Sequence, residues 1–252
     1  MVEQLAVFGL PILIYVLAGF AAQMIDGALG MAYGVSLTSL LLSTGMGPAA
    51  ASASVHMAEV FVSGVSGFSH LKFGNVNKRL FVKLLVPGIV GGVLGAYVLT
   101  TLPVEIIKPL VSLYLLAMGL MIIRRAFRKT RMVTVETKLI PLGLVGGFCD
   151  AIGGGGWGPV VTSTLIARGN VPRTTIGSVN LVEFFVTIAE VATFVVTIGL
   201  VHWQTIIGLI VGGCLAAPLA ARVCKRLPSR TLMALVGLVV TVLSVRTIWM
   251  VL

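Results

Sequence analysis

The chain has 252 residues, of which 58% are hydrophobic and only 10% charged, and a formal net charge of +10. A mean hydropathy of +1.09 excludes an ordinary water-soluble domain, and several apolar runs reach the roughly 20 helical residues that cross a hydrocarbon layer. The surplus of Lys and Arg would suit nucleic acid, but these residues fall in short loops between apolar runs, as in the cytoplasmic loops of membrane proteins; no nucleic acid is expected, and a lipid bilayer is.

In chain order, residues 5–25 form an apolar run that breaks at Asp26-Gly27. No basic stretch precedes it, so it is not expected to be a cleaved signal peptide. Residues 35–42 are short and apolar and end at Gly45-Met46-Gly47-Pro48. Pro48 suits the first position of a helix, which can run to about residue 71. A basic loop with Lys72, Lys78, Arg79 and Lys83 follows, then a span over 80–101 whose Gly88, Gly91, Gly92 and Gly95 allow close helix packing. Leu102-Pro103 turns the chain into a span over 104–123, which ends in the basic stretch Arg124, Arg125, Arg128, Lys129, Arg131 and Lys138. The arm 139–150 is only about 18 Å long as a helix, roughly half a hydrocarbon core. It leads into Gly153-Gly154-Gly155-Gly156-Trp157-Gly158. Residues 159–167 return, 168–172 turn, and helices follow over 173–197, 204–221 and 231–250. Cys149, Cys214 and Cys224 lie in or beside apolar runs, so no disulfide framework is expected.

The two halves repeat. A shift of 124 aligns residues 26–59 on 150–183 without a gap and gives 11 identities over 34 positions, among them Asp26/Asp150, Gly30/Gly154, Gly34/Gly158, Pro48/Pro172 and Glu59/Glu183. After one inserted residue the shift is 125, and Gly74 meets Gly199 while Leu102-Pro103 meets Leu227-Pro228. Equivalent loops differ in charge: 72–83 is basic and 199–203 carries only His202, whereas 101–105 has no base and 222–230 has four. If basic loops face the cytoplasm, the halves are inverted. The fold class is therefore an all-α polytopic membrane protein of two inverted repeats, each a Gly-rich broken helix or re-entrant hairpin plus three transmembrane helices. The first repeat covers 1–127, a basic cytoplasmic linker 128–138, and the second repeat 139–252. Both termini are expected outside. The first Gly-rich segment is left open between a re-entrant hairpin and two full spans.

Glu59 lies about 17 Å along the helix that starts at Pro48, near the bilayer midplane, and Glu183 is its equivalent. Ser52, His56, Glu59, Ser63, Ser66 and His70 share one helix face, matched by Asn180, Glu183, Thr187 and Glu190. Ionisable groups at that depth mark a pathway or proton relay, so Glu59, Glu183 and Glu190 are candidates for coupling a proton. A polar stripe that only ties helices together is the plainer alternative. Asp26 and Asp150 stand just before the glycines and either cap free backbone N–H groups or gate the hairpins. The glycine N–H groups, at Gly30, Gly34 and Gly153 to Gly156, form a ready anion site. Tyr33 and Trp157, equivalent by the same shift, flank that site or simply pack. His56 and Asn180 would add donors to the substrate. No metal and no cofactor is expected, and a homodimer is left open.

Other classes are weaker. Gly64-Val65-Ser66-Gly67 resembles the nucleophile motif of rhomboid intramembrane proteases, but a protease needs a base on another helix and the one His outside the first stripe, His202, falls in a loop. The chain is not expected to be an enzyme. An anion channel, or a carrier for a different small solute, stays open; broken helices with midplane carboxylates suit a gated carrier better than a pore.

The duplicated segments 26–34 and 150–158, each leading into a short helix and a turn that ends at Pro48 or Pro172, resemble the sulfite exporter TauE/SafE family of bacterial permeases, and the likeness covers essentially the whole chain. In the first copy Leu29, Met31 and Ala32 stand where Gly153, Gly155 and Gly156 stand in the second. The resemblance implies movement of sulfur-containing anions, such as sulfite, sulfoacetate or related organosulfonates, across the inner membrane. The residues themselves suggest an anion carrier but not sulfur.

Overall fold

The computed structural model describes residues 2–127, 138–223 and 229–250. The basic linker apart from Lys138, the turn 224–228 with Leu227-Pro228, and the extreme chain ends, on which the expected placement of the termini bears, lie outside the described residues.

The described chain is all helical. The first half holds α1 (Val2–Leu29), α2 (Tyr33–Ser43), α3 (Pro48–Lys72), α4 (Lys78–Thr101) and α5 (Val104–Phe127). The second holds α6 (Leu139–Gly153), α7 (Gly158–Ala167), α8 (Pro172–Thr197), α9 (Trp203–Val223) and α10 (Ser229–Trp249). The helix starts follow local chemistry. Pro48 and Pro172 open α3 and α8 after extended residues, Gly47 and Val171. Asn77 caps α4 by accepting from the N–H groups of Arg79 and Leu80.

Four segments among the described residues are long and apolar enough to cross a membrane: Lys78–Thr101, Val104–Phe127, Arg173–Thr197 and Trp203–Ala220. Their exposed sides are apolar, as with Val82, Val86, Val90 and Leu94 at four-residue steps down α4, a stripe that hydrocarbon solvates. By contrast α3, expected as a span, falls outside this set because its inner face is polar: Ser52, His56, Glu59 and Ser63 are all buried.

The short helices flank the breaks. α2 has 11 residues, and α7 has 5 of π-helix followed by 5 of α-helix; at about 1.5 Å per residue neither crosses a core of about 30 Å. The first break falls later than the sequence suggested. α1 continues through Asp26-Gly27 to Leu29, because neither residue needs an unusual backbone there; the turn is made by Gly30 at φ 65° and Ala32 at φ 106°. Likewise α6 continues past Asp150 to Gly153 before Gly154 turns at φ 63°.

Helix packing exchanges the halves onto each other. α1 lies on α9 and α6 on α4, while α3 pairs with α8 and α5 with α10. The α4–α6 contact is glycine against backbone: a side chain at Gly91 would strike Leu144, and one at Gly147 would strike Gly88. On the other side Gly212 abuts Val16 and Gly19 abuts Leu209. Two pairs run antiparallel: Gly64 and Gly67 of α3 meet Phe184 and Leu181 of α8, and Gly119 and Ile123 of α5 meet Thr241 and Gly237 of α10. Positive-φ glycines also come in equivalent pairs, with Gly30 and Gly154 at 65° and 63° and Gly74 and Gly199 at 67° and 70°.

Candidate functional site

The two breaks are built alike. Asp26 Oδ1 accepts from the Tyr33 N–H at 3.2 Å. Its equivalent Asp150 Oδ1 accepts from the Gly156 and Trp157 N–H groups at 2.7 and 2.9 Å, while the Asp150 carbonyl takes the Gly155 N–H at 3.0 Å and the Gly154 N–H. Each aspartate ties the helix before the break to the helix after it. These bonds bear on the expected anion cradle: the Asp150 carboxylate holds the N–H groups of Gly156 and Trp157 and its carbonyl those of Gly154 and Gly155, so in this conformation these four are already paired.

What the glycines provide is proximity. A side chain at Gly34 would run into Gly154 and Gly155, and one at Gly158 into Gly30 and Met31. The breaks therefore meet backbone to backbone, and Thr38 Oγ1 donates to the Gly154 carbonyl at 2.8 Å across the seam. Gly153 and Gly156 instead lie against Tyr114. Tyr33 and Trp157 are 1% and 0% exposed, which places them in the core and not at a membrane interface. Tyr33 donates to the Leu209 carbonyl at 3.3 Å and Trp157 Nε1 to the Val179 carbonyl at 3.2 Å. Their rings rest on equivalent glycines, Gly213 and Gly88.

Two polar clusters flank the breaks. The first is a small pocket that collects Asp26, Glu59 and Glu183 with Gln23, Ser66 and Asn180; Tyr33 and Ser63 complete its wall. Asn180 Nδ2 donates to Ser66 Oγ at 2.8 Å. The repeat-related glutamates thus line one pocket.

The second cluster is dry. His56 Nε2 lies 2.9 Å from Glu190 Oε2 and 3.7 Å from Asp150 Oδ2, and all three side chains are fully buried. His56 Nδ1 is 2.8 Å from the Ser52 carbonyl, so Nδ1 carries a proton and donates it there. Ser52 Oγ in turn donates to the Ala151 carbonyl at 2.6 Å, which pins α3 to the end of α6. His56 is not among the residues that line the first pocket; its Nε2 faces Glu190 and Asp150 instead. One atom from each of the three groups lies within 4.8 Å of the others. The 2.9 Å between His56 Nε2 and Glu190 Oε2 is an ion-pair separation in which neither atom completes a hydrogen bond.

The ends of the helix bundle differ. At one end a cleft of about 320 Å³ is lined by Pro48, Ala49, Ser54, Leu102, Leu200 and His202, among others. At the other end the equivalent loop is shut. Asn77 N–H donates to Ser178 Oγ at 2.7 Å, and Arg173 Nε donates to Asn75 Oδ1 at 2.6 Å. Sequence reasoning passed over this latch and over Gln23, while Ser52 stood in the expected α3 stripe without a partner named for it. The repeat held a signal for the latch, since Asn77 and Ser178 are the equivalents of His202 and Ser54.

A family model for the sulfite exporter TauE/SafE matches residues 15–247. The probable membrane transporter protein YtnM of Bacillus subtilis (strain 168) is 42% identical over 247 residues, which cover 94% of this chain and 82% of that protein. No solved structure matches.

Proposed function

This chain belongs to the sulfite exporter TauE/SafE family and is a membrane transporter, and from that premise we propose that it is a secondary carrier which moves small sulfur-containing anions across the inner membrane together with protons. The observation that carries this reading is the pocket where Asp26, Glu59 and Glu183 face amide and hydroxyl groups beside the meeting breaks. An anion cannot share a low-dielectric pocket with ionised carboxylates. It can share it with carboxylic acids, whose O–H groups donate. Proton and anion would then enter and leave as a unit, with Glu59 and Glu183 carrying the protons and Asn180 and Tyr33 orienting the substrate.

Inverted repeats and alternating access belong to the same proposal. The antiparallel pairing of the equivalent helices α3 with α8 and α5 with α10 supports inversion. The sealed end carries Lys72, Lys78, Arg79, Arg168 and Arg173, while the turns at the open end, 101–104 and 198–202, have no Lys or Arg. By the usual bias of basic loops to the cytoplasm, the cleft opens outward. The opposite state would shut His202 onto Ser54, both now lining the cleft, as Asn77 is shut onto Ser178. Cysteines at Ser54 and His202 are expected to cross-link several-fold faster when substrate and protons are supplied; a rate indifferent to both would argue against a moving gate.

The direct test is uptake into proteoliposomes, using labelled sulfite and a small organosulfonate with and without a proton gradient. Saturable, gradient-dependent flux is expected. A linear, unsaturable flux would favour a channel, and none of either anion would remove sulfur anions from the reading.

A further inference from the structure

The shift of 124 that relates the repeats also relates the two polar clusters. It carries His56 to Asn180, Asp26 to Asp150, and Ser66 to Glu190. The structure repeats the contact in both places: His56 meets Glu190 at 2.9 Å, and Asn180 meets Ser66 at 2.8 Å. One architectural half-site therefore exists twice, once with ionisable groups and once with neutral ones. Packing does not demand the ionisable version, because an amide and a hydroxyl fill the same geometry on the other side.

We propose that His56, Asp150 and Glu190 form a proton-binding site separate from the substrate pocket, and that Asp150 ties its occupancy to the second break. The proposal rests on the carrier reading for its purpose but not for its test.

The charges require a resident cation. His56 Nδ1 is committed to the Ser52 carbonyl, so Nε2 alone faces the two carboxylates. Glu190 reaches it from α8 and Asp150 from α6, and Glu59 lies farther along α3 itself. Gly92 of α4 lies against Glu190, and the Tyr114 hydroxyl of α5 lies beside Gly156; Glu183 of α8 is within electrostatic reach of Asp150 and Glu190. Among the described residues no Lys or Arg is buried. Two buried carboxylates side by side without a counter-charge are costly. A proton on Nε2, shared with Glu190, supplies that charge; it arrives from water and returns to water, and no other bond forms or breaks. Loss of the proton therefore has to be matched by a movement of one of the carboxylates. His56 Nε2, Asp150 Oδ2 and both Glu190 carboxylate oxygens are buried without a hydrogen-bond partner, polar capacity that a proton shared among them would use.

Asp150 is the link. Its Oδ1 holds the Gly156 and Trp157 N–H groups, and its Oδ2 faces His56. With the proton bound, His56 draws Asp150 into the position where it caps the break. With the proton gone, Asp150 and Glu190 repel, and rotation of Asp150 away releases both caps. Asp26 caps the first break through the Tyr33 N–H, and the contact equivalent to His56–Glu190 is there the neutral Asn180–Ser66 pair, so that break lacks the histidine link.

Trp157 reports directly on the second break. The test uses full-length protein in lipid nanodiscs, with Trp203 and Trp249 replaced by Phe so that Trp157 is the one remaining tryptophan. Emission is followed from about pH 5 to about pH 9, a window that histidine chemistry spans. The parent is expected to show a sigmoidal shift in emission. The shift is lost in the double variant His56→Asn with Glu190→Ser, whose amide–hydroxyl pair copies one the fold already contains, and in Glu190→Gln. Asp26→Asn retains it. A shift that persists in the Glu190→Gln and double variants overturns the proposal, as does stoichiometric metal in the purified parent. If neither sulfite nor organosulfonate is carried but the titration follows the triad, the proton site stands and the substrate assignment falls.

Discussion

Glu183→Gln is expected to abolish gradient-driven anion uptake, by about a hundred-fold or more, while leaving expression and monodispersity intact. Glu183 is half-buried and lines the pocket with its equivalent Glu59 and with Asp26. As a carboxylic acid it donates to an anion; as a carboxylate it repels one. A cycle in which it alternates between these forms lets the anion in with a proton and expels it when the proton leaves. Gln keeps the size and a donor but holds no exchangeable proton, so the variant stays in the permissive form and loses the step that ties flux to the gradient. A hundred-fold loss corresponds to about 2.8 kcal/mol, the scale of two decades in an equilibrium or a rate. The measurement is uptake against a concentration gradient in proteoliposomes at matched protein density. Normal coupled uptake would remove Glu183 from the mechanism, and Glu59→Gln separates a shared role from a role of one repeat alone.

Gly155→Ala should cost roughly 2–5 kcal/mol of stability. Part of this is conformational: Gly155 sits at φ 139°, where a Cβ costs about 1–2 kcal/mol. The rest is steric, since the new methyl would be driven into the Gly34 backbone, and overpacking costs about 1–3 kcal/mol. Gly45→Ala provides the contrast. Gly45 has φ 99° but nothing within 4 Å of an added Cβ, so only the conformational part, about 1–2 kcal/mol, applies. Thermal unfolding in detergent should rank Gly155→Ala clearly below Gly45→Ala. Equal melting temperatures would mean that the two breaks do not touch at this point.

Much of this architecture is legible in the sequence because duplication writes it twice. Pro48 with Pro172, and the glycines with the preceding aspartates, mark helix starts and breaks through local chemistry that needs no knowledge of the rest of the chain. The pairing of Glu59 with Glu183 follows from their equal depth along equivalent helices. The partner of His56 does not follow. Which residue of α8 faces it depends on the antiparallel register of α3 on α8, which glycine contacts such as Gly67 against Leu181 set; the α3 stripe shows only that His56 faces inward. The pairing of the glycine N–H groups in the second break is hidden from the sequence for a related reason. A free N–H and one held by an aspartate four to seven residues earlier look identical in sequence, and only the geometry shows that Asp150 already holds them. The first break moved to Gly30 because a lone glycine such as Gly27 can remain in a helix, at a cost of about 1 kcal/mol.

The contact of Gly34 with Gly154 and Gly155 has a mechanical consequence. Most helix interfaces are toothed: side-chain ridges sit in grooves, and relative movement must lift one row over the next. Where the breaks cross, both surfaces are bare main chain. A surface without teeth has low friction, so if the carrier alternates as proposed, the two repeats would turn on this point like a plain bearing, with the resistance to motion set at the latches far from the axis. On that reading a side chain added at the axis would act as grit, slowing the exchange of states even where it left the fold intact.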